Sequence, residues 1–223
     1  MRVYHDRFSI PMSPLGAWLA ILCLCLLPHT VQAATIVAFG DSLTAGFGLS
    51  QDEAFPAVLE NTLRNKGYDV TIVNAGISGD TTAGGVSRLS AVLSQKPDGV
   101  ILELGANDGL RAFDVAFMKD NLHTILSTLQ KHDIPTLLVG MYAPRNMGPV
   151  YGKQYKAAFS SLAEEFNAAF YPFFLEGVAL DPDLVLSDGL HPNAEGVQRI
   201  VQRILPTVET FLEKQGVATH QTP

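Results

Sequence analysis

The chain has 223 residues, 47% hydrophobic and 17% charged, with 22 acidic against 15 basic side chains and a net charge of −7. That balance leaves no basic stripe for nucleic acid and gives little attraction to anionic lipid. Its two cysteines, Cys23 and Cys25, sit together near the start, so no disulfide framework is expected.

The first predicted element is a leader. Arg2 and Arg7 make a weakly basic start, and LGAWLAILCLCLL (Leu15–Leu27) is an uninterrupted apolar run that Pro28 breaks. Val31, Gln32 and Ala33 then offer small residues to a signal peptidase. The run is short for a membrane span and has neither a cap nor an amphipathic face. Residues 1–33 are therefore expected to be a secretory signal, cut at Ala33 or within one residue of it. The residue before Cys23 is Leu22, where a lipid-anchor site calls for a small one. A protein exported to the periplasm or beyond, with no stable membrane anchor, follows. Cleavage removes both cysteines, Trp18, and Arg2, Arg7 and Asp6 from the 15 basic and 22 acidic residues, leaving 13 against 21, or −8. Residues 34–223 suffice for one domain with a sizeable core and contain no repeat or linker. A monomer is expected.

Strand and helix patterns then alternate. TIVAF (35–39) is a β-rich apolar run, and Phe55, Val58, Leu59 and Leu63 follow at helical spacing. VTIV (70–73) and GVILEL (99–104) are the next strands, followed by a helix marked by Val115, Met118, Leu122, Ile125, Leu126 and Leu129. TLLVGM (136–141) is a fourth strand. It leads into MYAPRNMGPVYGKQY (141–155), in which PRNMGPVY reads as a Pro/Gly-rich loop carrying Met147 and Tyr151. Tyr155, Phe159, Leu162 and Phe166 mark a helix, FYPFF (170–174) a weak strand, and Val197, Ile200, Val201 and Ile204 a last helix that Pro206 should kink or shorten. Residues 216–223 are expected to fray.

Strands without polar alternation, separated by amphipathic helices, imply an α/β fold with a parallel sheet covered on both faces. Right-handed crossovers favour a five-stranded doubly wound sheet, whose crevice lies beyond the carboxyl ends of the strands. Four segments reach that edge: GDSLTAG with Ser42, NAGISGDTT with Gly76 and Gly79, LGANDG with Asn107 and Asp108, and SDGLHPN with Asp188 and His191. Acyl transfer needs a nucleophile, a base, a group that orients the base, and donors for the oxyanion. Among the histidines after the leader, His123 and His132 belong to a helical stretch and His220 to the tail; His191 alone occupies a loop on the functional edge. Asp188 can reach its Nδ1 if the turn is tight. The loop glycines and Asn107 are candidate oxyanion donors. Each residue also has a plain structural reading. Ser42 could cap a helix, Asn107 and Asp108 could open one, Gly79 could be a turn glycine, and Asn193 could cap the last helix.

The blocks FGDSLTAG, NAGISGDTT, LGANDGLR and DGLHPN, in that order, closely resemble the signatures of the SGNH (GDSL-type) hydrolases. GISGDTTAGG and ELGANDGLR are most similar to the exported bacterial acyl thioesterase, lysophospholipase and arylesterase group. The resemblance implies a three-layer α/β/α flavodoxin-like sandwich with strand order 2-1-3-4-5, over residues 34–215. It implies Ser42 as nucleophile, His191 as base and then acid, and Asp188 as its orienter. The oxyanion hole would comprise the backbone N–H groups of Ser42 and Gly79 and the Asn107 amide. Small-molecule acyl esters or thioesters are the implied substrates, with neither metal nor organic cofactor, and residues 141–155 would border the acyl pocket, with Met147 and Tyr151 able to contact an aliphatic chain. Two other readings stay open. A carbohydrate O-deacetylase would use the same scaffold, and a non-catalytic flavodoxin-like binding module would use the loops for phosphate. The latter lacks G-x-G-x-x-G and a P-loop lysine and gives DGLH no role.

Overall fold

The computed structural model describes residues 33–217 and residue 219; the expected leader lies outside them except for Ala33, as do His220 and the last residues of the tail. The sequence builds five parallel strands: β1 Ala34–Gly40, β2 Val70–Gly76, β3 Gly99–Glu103, β4 Thr136–Val139 and β5 Ala169–Tyr171. Their order is 2-1-3-4-5, so the chain reverses direction across the sheet between β1 and β3. β1 and β3 are central, and β3 is buried along its whole length, which is why neither shows polar alternation. In register, Gly40 lies opposite both Gly76 and Glu103, so the loops leaving β1, β2 and β3 start at one level.

Helices α1 Ser42–Ala45 and α2 Phe55–Asn65 follow β1; α3 Thr82–Ser94 follows β2; α4 Ala106–Leu110 and α5 Val115–Lys131 follow β3; α6 Gly148–Glu165 follows β4; and α7 Ala194–Lys214 follows β5. α5 packs against both α3 and α6, and α2 packs on α7. Phe39 faces Gly85 of α3, whereas Ile36, an odd number of residues away, sits beside Phe211 of α7, so the two groups cover opposite faces.

Three expectations change. The helix α3 has no place in the sequence reading because TTAGG at its start looks like loop. Thr81 nevertheless caps it, accepting a bond from the Gly84 N–H, and a Cβ at Gly85 would lie 2.4 Å from Leu104, so the glycine lets the helix sit close on the sheet. Pro206 does not shorten the last helix, which runs to Lys214. The proline is exposed, leaving the carbonyl it cannot satisfy on the water side, while Val208, Phe211 and Leu212 continue the buried stripe beyond it. Finally, PRNMGPVY is a loop only at its start: Arg145–Met147 form a 3₁₀ turn and α6 begins at Gly148 with Pro149 in its first turn. Of the terminal segment, Val217 donates to the Leu212 carbonyl and Thr219 bridges to Tyr68.

Candidate active site

β1 delivers Ser42 to the carboxyl edge of the sheet. Ser42 is not the cap of α1: Asp41 holds that position, its Oδ1 accepting from the Leu43 N–H at 3.0 Å. The serine hydroxyl is thus left for another partner, and it meets His191 Nε2 at 2.8 Å.

The turn that carries His191 is as tight as the spacing required. Gly189 takes a left-handed φ of 69°, its N–H bonds the Leu186 carbonyl, and Val185 bridges Pro192 to close the loop at its base. Asn193 then caps α7. Asp188 accepts at Oδ1 from the N–H groups of Leu190 (2.9 Å) and His191 (3.0 Å), and at Oδ2 it meets His191 Nδ1 at 2.7 Å. Those bonds to the charged form hold its carboxyl down at about 2, although its side chain is 36% exposed. Phe47 packs on the imidazole with ring centroids 4.4 Å apart.

Gly79 lies on the turn after β2 with φ 81°, and its carbonyl accepts from Arg111 Nη2 at 2.8 Å. Arg88, on α3, fastens this turn to the strand ends: Nε donates to Asp80 (2.6 Å), Nη1 to the Ala75 carbonyl (2.7 Å) and Nη2 to the Gly40 carbonyl (2.8 Å). Among the described residues, the N–H groups of Ser42 and Gly79 donate to no group of the chain. Asn107 lies in α4 without capping it, and its Nδ2 donates to Asp41 Oδ2 at 3.2 Å. Asp108 is buried behind the site, where it accepts from the Thr82 N–H (2.9 Å) and hydroxyl (2.6 Å) and ties α4 to α3.

Behind the serine lie two buried carboxyls. Burial pushes Asp41 up to about 6, and burial together with the Asp41 charge pushes Glu103 well above the carboxylate range. Glu103 Oε2 accepts from the Thr44 hydroxyl at 2.8 Å, and Oε1 has no partner. Burial therefore favours the protonated form of Glu103. Its folded pKa exceeds the unfolded one, so the chain loses stability as pH rises from the ordinary glutamate value through the raised one. Glu103→Gln keeps an acceptor for Thr44 and has no proton to lose. Its melting temperature, followed by circular dichroism, should exceed the parent's by about 2–4 °C or more at pH 8, the equivalent of roughly 1 kcal/mol for this size of domain. At pH 5 the gap should shrink; a gap that does not change with pH would mean Glu103 is not the protonated group.

Ser42, Gly79, Asn107 and His191 open on a cavity of about 810 Å³ whose other walls include Met141, Tyr142, Phe173, Leu175, Val178 and Leu180. Ser42, His191, Asp188, Asn107 and Gly79, drawn from four separate segments, are therefore gathered at one edge. Met147 and Tyr151 are not on this wall. Once α6 begins at Gly148 they turn toward a separate groove beside α5, and the Tyr151 hydroxyl donates to the Phe113 carbonyl at 2.7 Å. The sequence reading missed Asp41 and Arg88. Asp41 could have been found as the cap residue before an N-terminal helical serine, but nothing in the sequence marks Arg88.

The pattern of the GDSL-like lipase/acylhydrolase family matches residues 38–199. Esterase TesA of Pseudomonas aeruginosa is 38% identical over 193 residues, 85% of this chain and 96% of that protein. Thioesterase 1/protease 1/lysophospholipase L1 of Escherichia coli (strain K12) is 40% identical over 179 residues, 79% of this chain and 85% of that protein. The crystal structure of AlinE4, an SGNH-hydrolase family esterase, matches with a TM-score of 0.69 and 46% identity, covering 81% of this chain and 97% of that one. A family pattern that begins within β1 and ends inside α7, with relatives aligned over nearly their whole length, shows that the chain belongs to the GDSL-like lipase/acylhydrolase (SGNH hydrolase) family.

Proposed function

We propose that this ester and thioester hydrolase works through an acyl-enzyme on Ser42. Ser42 Oγ attacks the substrate carbonyl as its proton passes to His191 Nε2, and Asp188 holds the imidazole in the tautomer that can accept it. Charge gathers on the carbonyl oxygen, where the N–H groups of Ser42 and Gly79 and the Asn107 amide stabilise it. The imidazolium then protonates the departing alcohol or thiol, and water, deprotonated by the same imidazole, releases the acid. The observation that carries this reading is the continuous chain Asp188–His191–Ser42, with links of 2.7 and 2.8 Å, opening on the cavity.

The cavity walls favour an aliphatic or aromatic acyl group over acetyl on a sugar. Apolar side chains line most of it, and a sugar would need hydrogen-bonding groups there. Aryl esters, lysophospholipids and acyl-CoA-type thioesters are the substrate class, in keeping with the names of the relatives. Among the described residues no helix is long and apolar enough to cross a membrane. We read the apolar run Leu15–Leu27 with its small-residue end as an export signal, which puts the reaction in the periplasm or outside the cell.

A hydrolysis panel tests the substrate reading: aryl esters from acetyl to palmitoyl, a lysophospholipid, an acyl-CoA and an acetylated oligosaccharide. Turnover of the acyl substrates with kcat/KM rising beyond acetyl is expected. Preference for the acetylated sugar would make the protein a deacetylase, and no turnover of any ester would favour a binding module.

A further inference from the structure

The amide of Asn107 can serve an oxyanion only if its nitrogen, and not its oxygen, is presented to the cavity. Nothing within Asn107 decides this, because the two ends of an amide have the same shape. Its recorded side-chain bond is Nδ2 to Asp41 Oδ2, at 3.2 Å. An ionised carboxylate only accepts, so an amide in that place must turn its nitrogen to it. One N–H is then used by Asp41, and the other stays on the half-buried face of Asn107 that borders the cavity.

We propose that Asp41 is a positioning residue of the reaction: by accepting from Asn107 it fixes the amide with nitrogen toward the oxyanion site, while its other oxygen holds the first turn of the helix that begins with Ser42. This rests on the reading of Asn107 as an oxyanion donor. Both oxygens are committed, one to Leu43 and one to Asn107, and the side chain has no exposure to water that could replace it. One residue therefore sets the nucleophile and an oxyanion donor relative to each other, across elements 66 positions apart in sequence. The neighbouring buried carboxyl, Glu103, is directed at Thr44 and takes no part in holding Asn107.

The isosteric change Asp41→Asn exposes the role. Asparagine has one acceptor and one donor end, so it can satisfy Leu43 or Asn107 but not both. If it keeps the cap, its own nitrogen confronts Asn107 Nδ2 and turns that amide over. The expected result is a fall in kcat of about 10- to 100-fold, up to the cost of losing or misplacing a donor, with KM changed by less than about threefold. The decisive measurement is a double-mutant cycle. Asn107→Ala alone should lower kcat by about 10²–10³, and adding Asp41→Asn to it should cost less than about threefold more, because nothing remains to position. Asp41→Ser, which keeps a cap acceptor but not the second one, goes through the same cycle and serves if Asp41→Asn does not fold. A full Asn107→Ala effect with an independent, multiplicative Asp41 effect would overturn this inference alone. Normal kcat in Asn107→Ala would overturn the oxyanion reading of Asn107, and the inference with it.

Discussion

Ser42→Ala is expected to lower kcat on an unactivated ester by a factor on the order of 10⁴–10⁶ and to change KM by no more than a few-fold. Removing the hydroxyl takes away the atom proposed to form the acyl-enzyme and leaves His191 without its 2.8 Å partner. The cavity walls proposed to hold the acyl group are untouched. What persists is the water reaction assisted by the oxyanion donors and binding. A serine-directed phosphonate gives the matching covalent readout. The parent should take up a single adduct on the peptide containing GDSL, and Ser42→Ala none. Adduct on another residue, or a variant that keeps more than about a hundredth of the parental kcat, would take the nucleophile's role away from Ser42.

Asp188→Asn should be the next most damaging change, lowering kcat by a factor on the order of 10⁴. The asparagine carbonyl can still accept from the N–H groups of Leu190 and His191, so the turn should survive. Its NH₂ then faces Nδ1, which must become the acceptor. The ring proton moves to Nε2, and the nitrogen facing Ser42 donates where it should accept. Because the carboxyl sits at about 2 in the parent, it stays charged through the working range, so the variant replaces a charged partner of His191 by a neutral one at every working pH. A control melt should show little change. A loss below about tenfold would leave Asp188 as a turn residue only.

How much of this was legible beforehand differs by element. The central strands could be read from β-rich runs such as TIVAF and GVILEL, because burial on both faces removes polar alternation, whereas the half-buried edge strand β5 left only the weak run FYPFF. Four long helices could be read from their stripes. α3 could not, because its start is written in glycines whose purpose, close approach to Leu104, is visible only once the sheet is beside it. Pro206 misled for a similar reason, since its cost depends on which side of α7 faces water.

For the site, residue type and order brought forward Ser42, His191, Asp188 and Asn107, since few side chains suit acyl transfer and the strand–loop rhythm sends all four segments to one edge, whereas the choice of Gly79 among the loop glycines came from the family resemblance. The sequence reading offered Ser42 as the cap and passed over Asp41, although both residue types accept from a helix N-terminus. Only the fold, by bringing Asn107 to one oxygen of Asp41 and His191 to Ser42, decided which oxygen does which work. The local sequence therefore determined the elements and the chemistry available at their ends. The tertiary structure decided the partners, because a hydrogen bond between residues 149 positions apart, such as His191 to Ser42, depends on distances that only the packed sheet sets.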